Sequence, residues 1–211
     1  MCHYQYLGEI NLNNNFHDEM IDSGCEYINI STSVVNACSN KQSLSALFHA
    51  FSLIRDCLHN GNLVMCCGNG GSAADASHLT AEFVCRFETD RKGFRAIALT
   101  TDPQIITAVG NDLSYDQVFS RQVESIGRDG DILIIFSTSG NSKNCLEAAI
   151  IAKRIGINVV LFTGIQKGSV GNFADVIIEA QSARTAHIQE AHRVMYHLLC
   201  MWLDADPGKV A

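Results

Sequence analysis

Short apolar runs recur along the chain, and residues that favour turns bound each of them. The runs are continuous, whereas a strand with one solvated face would alternate apolar and polar positions. This pattern is typical of strands that are buried on both faces of a sheet. The sequence therefore predicts five such strands, at 63–67, 96–99, 132–136, 159–162 and 176–178.

Segments with helical spacing of apolar residues separate and follow these strands, at 72–88, 103–126, 142–155 and 185–203. Strands that alternate with helices indicate a parallel sheet with helices on both faces. We therefore predict an α/β fold, a three-layer αβα sandwich of the flavodoxin-like type with a five-stranded parallel sheet. Ligands of such a sheet bind outside the carboxyl ends of its strands.

Two further helices are predicted ahead of the first strand, at 16–37 and 43–59. The helices between the strands already cover both faces of the predicted sheet, so no sheet face is left for these two. We therefore expect the N-terminal helices to pack on another subunit or on the outer helical layer.

The composition is that of a globular protein. The chain has 211 residues, of which 47% are apolar and 18% charged, which excludes a disordered or collagen-like chain. The formal net charge is −7 and no basic run is longer than Arg91-Lys92, so nucleic acid is not expected as a partner. No stretch approaches the roughly 18 apolar residues of a membrane span, so no membrane partner is expected.

The nine cysteines form an odd set without a Cys-x-x-Cys pair, and Cys66 and Cys67 lie within an apolar run. Such cysteines are typical of reduced core residues and not of a disulfide framework or a zinc ribbon. The N-terminal residues carry acids and asparagines where a signal peptide has its apolar segment. We therefore expect a cytoplasmic location.

The segment GNGGS at 68–72 directly follows the first predicted strand and opens a helix. Glycines let the backbone approach an anion, and the helix start favours negative charge. A tight turn explains the segment equally well, with Ser72 as N-cap and Asp75 completing a variant of the capping box. The spacing also fits a relaxed dinucleotide fingerprint, but Asp102 comes later than the acid which that fingerprint expects.

The segment STSGNS at 137–142 also follows a predicted strand and opens a helix. Its four hydroxyls and one glycine exceed what N-capping requires. Hydroxyls and backbone N–H groups form a neutral cradle for phosphate, so we favour a phosphate-binding loop. Neither loop is a Walker A motif, because no Gly-Lys-Ser/Thr ends it.

Two spaced pairs of polar side chains are candidate metal ligands. His78 and Glu82 are four residues apart and share a helix face, and Gln189 and His197, eight apart, share a face of the last helix. Two imidazoles and a carboxylate suit a divalent ion such as zinc, with the Gln oxygen as a weaker fourth ligand. The chain has eight histidines, so one of them can have a polar residue four positions away by chance. Spacing alone therefore does not establish a metal site.

Three longer phrases resemble a known family when they are taken together. They are CGNGGSAADASHLTAEFVCRF, AVGNDLSYDQVFSRQVESIGRDGDILIIFSTSGNS and IQEAHRVMYHLLC. They are similar to the sugar isomerase (SIS) domain family and, more narrowly, to the bacterial phosphoheptose isomerases. On this resemblance the chain divides into an N-terminal extension and helix at 1–40, a SIS domain at 41–203 and a C-terminal tail at 204–211.

The resemblance implies a zinc-dependent aldose–ketose isomerase. Its substrate would be a phosphorylated seven-carbon sugar, sedoheptulose 7-phosphate, converted to D-glycero-D-manno-heptose 7-phosphate through an enediol. This is the first step of nucleotide-activated heptose biosynthesis for lipopolysaccharide or capsule. The resemblance further implies one Zn²⁺ per subunit and a homotetramer with active sites at the subunit interfaces.

The same resemblance assigns roles to individual residues. The implied catalytic acid–base pair is Glu82 and His197, and the implied metal ligands are His78, Glu82, Gln189 and His197. The serine-rich loop would hold the phosphate. The implied substrate-binding residues are Asn69, Gly70, Gly71, Ser72, Glu82, Arg86, Asn111, Asp112, Ser137, Thr138, Ser139, Ser142 and Gln189.

Two alternatives to the enzyme belong to other functional classes. Some relatives of this family keep the fold but bind a protein partner as regulators, and these typically lack the four metal positions. A SIS domain can also sense a sugar phosphate without turning it over, and such a protein needs no zinc. All four metal positions are filled in this sequence, which favours the enzyme.

Overall fold

The computed structural model describes residues 16–206; residues 1–15 of the predicted N-terminal extension and 207–211 of the predicted tail lie outside it. Its strands are β1 (Val64–Gly68), β2 (Ala96–Ala98), β3 (Ile132–Phe136), β4 (Asn158–Thr163) and β5 (Val176–Glu179). They form one sheet in the order β2-β1-β3-β4-β5, and every neighbouring pair is parallel. The predicted five-stranded parallel sheet is confirmed.

Seven α-helices lie in the described part of the chain. They are α1 (Phe16–Ala37), α2 (Lys41–His59), α3 (Gly71–Val84), α4 (Pro103–Asp112), α5 (Ser120–Ile126), α6 (Lys143–Ile155) and α7 (Thr185–Ala205). The predicted helical segment 103–126 is divided into α4, a 3₁₀ turn at Tyr115–Gln117 and α5. Ser114 caps that turn by accepting a hydrogen bond from the backbone N–H of Asp116, which ends the preceding helical region.

Alternate residues of β1 enter opposite cores, as the pleat of a strand requires. Val64 and Cys66 lie in a core formed with α2, α3 and α7, whereas Met65 and Cys67 lie in a second core formed with α5 and α6. The molecule is therefore the three-layer αβα sandwich that the sequence predicts. Within residues 16–206, none of the helices is both long and apolar enough to cross a bilayer.

The expectation for the N-terminal helices is correct for α1 and wrong for α2. Helix α1 packs on α7 and lies on the outer layer. Helix α2 instead covers the sheet near β5, and its residues Leu47 and Ile54 are completely buried in the first core. The reason is that α3 and α7 leave part of that sheet face uncovered.

The sheet brings the two candidate loops together at its carboxyl edge. Gly68 is in register with Phe136, so the segment after β1 and the segment after β3 leave the sheet side by side. From β1 the chain adds its next strand on one side of the sheet, and from β3 it adds the following strands on the other side. Such a switch point is where doubly wound sheets bind their ligands.

Candidate functional site

The first loop requires its glycines for close packing and for an unusual backbone angle. A Cβ atom at Gly68 would lie 2.7 Å from the carbonyl oxygen of Ser72 and 2.8 Å from that of Phe136. Gly70 has φ +56° and is the N-cap residue of α3. The predicted role of Ser72 as N-cap is therefore wrong, because the helix begins at Gly71 and Ser72 is buried in its first turn.

Two side-chain amides connect the first loop to the second. Asn69 Nδ2 donates to Asn144 Oδ1 at 2.8 Å, and Asn144 Nδ2 donates to Asn69 Oδ1 at the same distance. The hydroxyl of Tyr115 also donates to Asn69 Oδ1, at 3.1 Å. Asn144 lies in the first turn of α6 and is buried, so it fixes the position of Asn69.

The second loop presents hydroxyls at the start of α6. The hydroxyls of Ser137 and Ser142 lie 3.4 Å apart, and Ser142 is the N-cap residue of α6. Ser139 Oγ accepts a hydrogen bond from the backbone N–H of Asn141. The first N–H groups of a helix lack intrahelical acceptors and attract anions. This arrangement suits a phosphate group.

A third segment, 164–170, supports the serine-rich loop from β4. Its backbone N–H groups at Gly164 and Val170 donate to the carbonyl oxygens of Thr138 and Gly140, at 3.1 and 2.9 Å. Gly140 has φ +63°, and a Cβ atom there would collide with the backbone of Lys167. The loop conformation therefore depends on this backbone-to-backbone packing.

Three of the four predicted metal ligands converge between α3 and α7. His78 Nε2 lies 3.1 Å from Glu82 Oε1 and 3.5 Å from His197 Nε2, and the donor atoms of the three residues all lie within 4.8 Å of one another. Ligands of a tetrahedral zinc ion with bonds near 2.0–2.1 Å are separated by about 3.3 Å. The three donors therefore fit a small divalent cation.

The surroundings of His197 favour its neutral form. Burial lowers the pKa of His197, and the adjacent His78 lowers it further, against the opposing effect of Glu82. Its ring stacks on Phe87, with 5.5 Å between the ring centroids. A neutral imidazole keeps a lone pair for a metal ion or a proton.

Gln189 lies against the first loop, two helical turns before His197. Its side-chain amide covers Gly71, and its Nε2 is 3.5 Å from Ser72 Oγ. A Cβ atom at Gly71 would reach within 2.7 Å of Gln189 Oε1. Gln189 therefore links the first loop to the helix that carries His197.

Three other predicted substrate residues are exposed and bonded locally. Helix α3 ends at Val84, so Arg86 lies beyond the helix on which the sequence placed it, with its Nε 3.4 Å from Asp90. Asn111 Nδ2 donates to Asp112 Oδ1 at 2.7 Å at the end of α4. In the described part of the chain, no hydrogen bond joins Arg86, Asn111 or Asp112 to the two loops or to the metal cluster.

Several contacts around the candidate site are not evident from the sequence. Tyr196 directly precedes His197, and its hydroxyl lies 2.9 Å from His78 Nδ1. Arg91 donates to the last carbonyls of α3 and to Asp204 on α7, and so holds the helix that carries Glu82. Asn144 has a weak signal, since it follows the serine-rich loop, but its partner is 75 residues away.

Comparisons with known proteins agree on one family. A model of the SIS domain family matches residues 26–164. The phosphoheptose isomerase of Dechloromonas aromatica is 46% identical over 159 residues, which are 74% of this chain and 81% of that protein. The solved structure of a phosphoheptose isomerase from Francisella tularensis aligns with a TM-score of 0.85 at 35% identity, covering 89% of this chain and 99% of that one. A phosphoheptose isomerase structure from Neisseria gonorrhoeae aligns with a TM-score of 0.79 at 35% identity, covering 90% and 99%.

Proposed function

This chain belongs to the phosphoheptose isomerase family of SIS-domain proteins, and we propose on that premise that it converts sedoheptulose 7-phosphate into D-glycero-D-manno-heptose 7-phosphate. The reaction is an aldose–ketose isomerisation and begins the biosynthesis of nucleotide-activated heptose. The observation that carries the proposal is the His78, Glu82 and His197 cluster, which lies between the two helices α3 and α7.

The serine-rich loop would bind the phosphate of the sugar. The side chains of Ser137, Thr138, Ser139 and Ser142 offer hydroxyls, and the start of α6 offers backbone N–H groups and a favourable dipole. The loop contains no basic residue. Binding would therefore rest on hydrogen bonds and the helix dipole, as in a neutral phosphate cradle.

The reaction moves a carbonyl from C2 of the ketose to C1. One group must remove a proton from C1, giving an enediol, and a proton must be returned to C2. The proton on the oxygen at C1 must also pass to the oxygen at C2. Glu82 and His197 are the pair that we assign to these transfers, since a carboxylate and a neutral imidazole both accept and return protons near neutral pH.

The donor set also fits a divalent cation, which we propose to be one Zn²⁺ per subunit. His78, Glu82 and His197 would hold it, with Gln189 as a fourth ligand. When bound, the ion would act as a Lewis acid toward the sugar oxygens, on which negative charge develops in the enediol. Because Glu82 and His197 are both ligands and proton carriers in this proposal, their two roles would alternate during turnover.

We further propose a homotetramer in the cytoplasm, with each active site completed by an adjoining subunit. Helix α1 exposes large apolar side chains, among them Met20, Ile21 and Ile28, which are 46%, 55% and 63% exposed. A second subunit would cover them. Arg86, Asn111 and Asp112 lie on the surface, where a sugar held by another subunit would meet them.

The experiment is an assay of the purified protein with sedoheptulose 7-phosphate, first after chelation and then with zinc restored. Heptose 7-phosphate formed only in the restored sample supports both the reaction and the metal. No product in either sample, from protein that is folded and tetrameric, rejects the isomerase. That outcome would favour a regulator that binds a protein partner, or a sensor of sugar phosphates.

A further inference from the structure

The two ring nitrogens of His78 have different partners. Nε2 faces the cluster, 3.1 Å from Glu82 Oε1 and 3.5 Å from His197 Nε2. Nδ1 faces away from it and lies 2.9 Å from the hydroxyl oxygen of Tyr196. A nitrogen that binds a metal must keep its lone pair, so the ring proton of a metal-binding His78 belongs on Nδ1. His78 then donates a hydrogen bond to Tyr196.

The contacts continue from Tyr196 through a hydrogen bond to Arg193 and then through an ion pair to a buried acid. Arg193 Nε donates to the hydroxyl oxygen of Tyr196 at 3.2 Å, and Arg193 Nη2 lies 3.5 Å from Asp75 Oδ1. Tyr196 is completely buried, and Asp75 is 1% exposed. Within residues 16–206, the second carboxylate oxygen of Asp75 has no hydrogen-bond partner.

This arrangement is costly to the fold, which argues for a use beyond packing. Burying a carboxylate that has an oxygen without a hydrogen bond from the protein opposes folding. Asp75 lies three residues before His78 on α3, and Arg193 lies four residues before His197 on α7, so the chain of contacts runs alongside the cluster. A carboxylate here supplies negative charge close to a site for a cation.

We propose that Tyr196, Arg193 and Asp75 are positioning residues that fix His78 for binding a divalent cation. Tyr196 sets the ring orientation and the position of the ring proton. Asp75 neutralises Arg193, whose positive charge would otherwise repel the ion. The inference rests on the proposed metal site and extends it, because it assigns residues that do not touch the ion. Loss of such outer contacts typically weakens metal binding by about 10–100-fold.

The test is the affinity of metal-free protein for Zn²⁺, measured by competition with a chromophoric chelator. Tyr196→Phe keeps the buried ring and removes only the hydroxyl, so we expect Zn²⁺ to bind about 10–100-fold more weakly. Tyr27→Phe is the matched control. It also removes a phenol bonded to α7, at Glu190, but on the α1 side of that helix, so we expect wild-type affinity.

Two further measurements separate positioning from general stability. The thermal midpoints of the metal-free proteins report folding without the ion, and the absorption spectrum of the Co²⁺-loaded protein reports the ligand arrangement. We expect Tyr196→Phe to change the Co²⁺ spectrum and Tyr27→Phe to leave it unchanged. A purely structural role for Tyr196 would lower the midpoint and leave both the affinity and the spectrum of the folded protein as in wild type.

Asp75→Asn provides a second variant if Tyr196→Phe does not fold. Asparagine keeps the size and the acceptor for Arg193 but removes the charge, so we expect Zn²⁺ affinity to fall about three- to tenfold, more at low salt. Wild-type Zn²⁺ affinity in every folded variant of Tyr196 and Asp75 overturns the positioning role. The proposed metal site itself is then retained. Wild-type protein that binds no Zn²⁺ overturns both.

Discussion

The side-chain amides of Asn69 and Asn144 hydrogen-bond each other in both directions, with both N···O distances at 2.8 Å. The pair joins the loop after β1 to the first turn of α6, which starts from the serine-rich loop. The Asn69 oxygen also accepts from Tyr115, so its side chain is engaged by the protein itself. The two loops are therefore one hydrogen-bonded unit, and the first loop offers its backbone to a ligand.

Asn144→Ala should weaken substrate binding by separating the two loops. It leaves Asn69 Nδ2 without its Asn144 acceptor, a loss of about 1–3 kcal/mol, which corresponds to a rise in KM of about 5–150-fold. Steady-state kinetics with the sugar phosphate measure the effect. Asn60→Ala is the control, because Asn60 ends α2 at the opposite edge of the sheet. An unchanged KM in Asn144→Ala would show that the amide pair does not organise the site.

Glu82→Gln and His197→Asn should each abolish turnover in a folded protein. The side-chain amides of Gln and Asn neither accept nor release a proton near neutral pH. Loss of a general acid or base lowers the rate by about 10²–10⁴-fold. Circular dichroism and sedimentation would establish that the fold and the assembly are retained. Normal activity in either variant rejects the assignment of that residue.

Gly140→Ala should lower the unfolding free energy by more than the strain of a positive φ alone, because the new side chain would also disrupt the serine-rich loop. Gly140 and Gly61 both have positive φ, at +63° and +73°, but only a Cβ atom at Gly140 would collide with another segment, the backbone of Lys167. We expect Gly61→Ala to cost about 1 kcal/mol of unfolding free energy. Urea denaturation should show a larger cost for Gly140→Ala, with loss of sugar phosphate binding. Equal costs in the two variants would contradict the packing argument.

The buried ion pair of Arg91 with Asp204 should make the fold sensitive to acid. Burial opposes ionisation of Asp204, but hydrogen bonds from Arg91 and from two backbone N–H groups outweigh it and lower the pKa of the carboxyl. The pair therefore contributes its full stability above about pH 4, the usual range of the unfolded carboxyl, and loses it as the pH falls through the lowered pKa.

Asp204→Asn tests this pair directly. The two side chains are only 7% and 4% exposed, so removing one charge should lower the unfolding free energy by about 3–5 kcal/mol at pH 7. Urea unfolding at pH 7 and near pH 3 should show the difference from wild type shrinking in acid. Arg121→Gln breaks an exposed ion pair with Glu124 and should cost less than about 1 kcal/mol at either pH. A pH-independent difference for Asp204→Asn would contradict the role of its charge.

Local patterns in the sequence are sufficient for most of the fold. Continuous apolar runs correctly predict all five strands. Strands β1, β3 and β4 are buried on both faces, as such runs indicate, whereas the edge strand β2 exposes Ile97. The ends of helices are less certain, since they depend on contacts from distant residues. Helix α3 ends at Val84 and not at residue 88. The side chain of Arg91 donates hydrogen bonds to the last carbonyl oxygens of this helix and also binds Asp204.

The sequence by itself determines which chemical groups are available and which helix faces carry them. It places His78 with Glu82 and Gln189 with His197, because a helix repeats its face every three to four residues. It does not determine that α3 and α7 lie side by side, which brings His78 and His197 within 3.5 Å across 119 positions of the chain.

Only the tertiary structure decides what surrounds those groups. The sequence offers helix capping as one possible role of Asp75, whereas the packing of α7 on α3 buries it against Arg193. Tyr196 likewise becomes the partner of His78 through the same packing. The physical reason is the distance along the sequence over which each effect acts. Periodicity and turn chemistry act over a few residues, whereas burial, charge pairing and the position of a ring proton depend on contacts between distant segments.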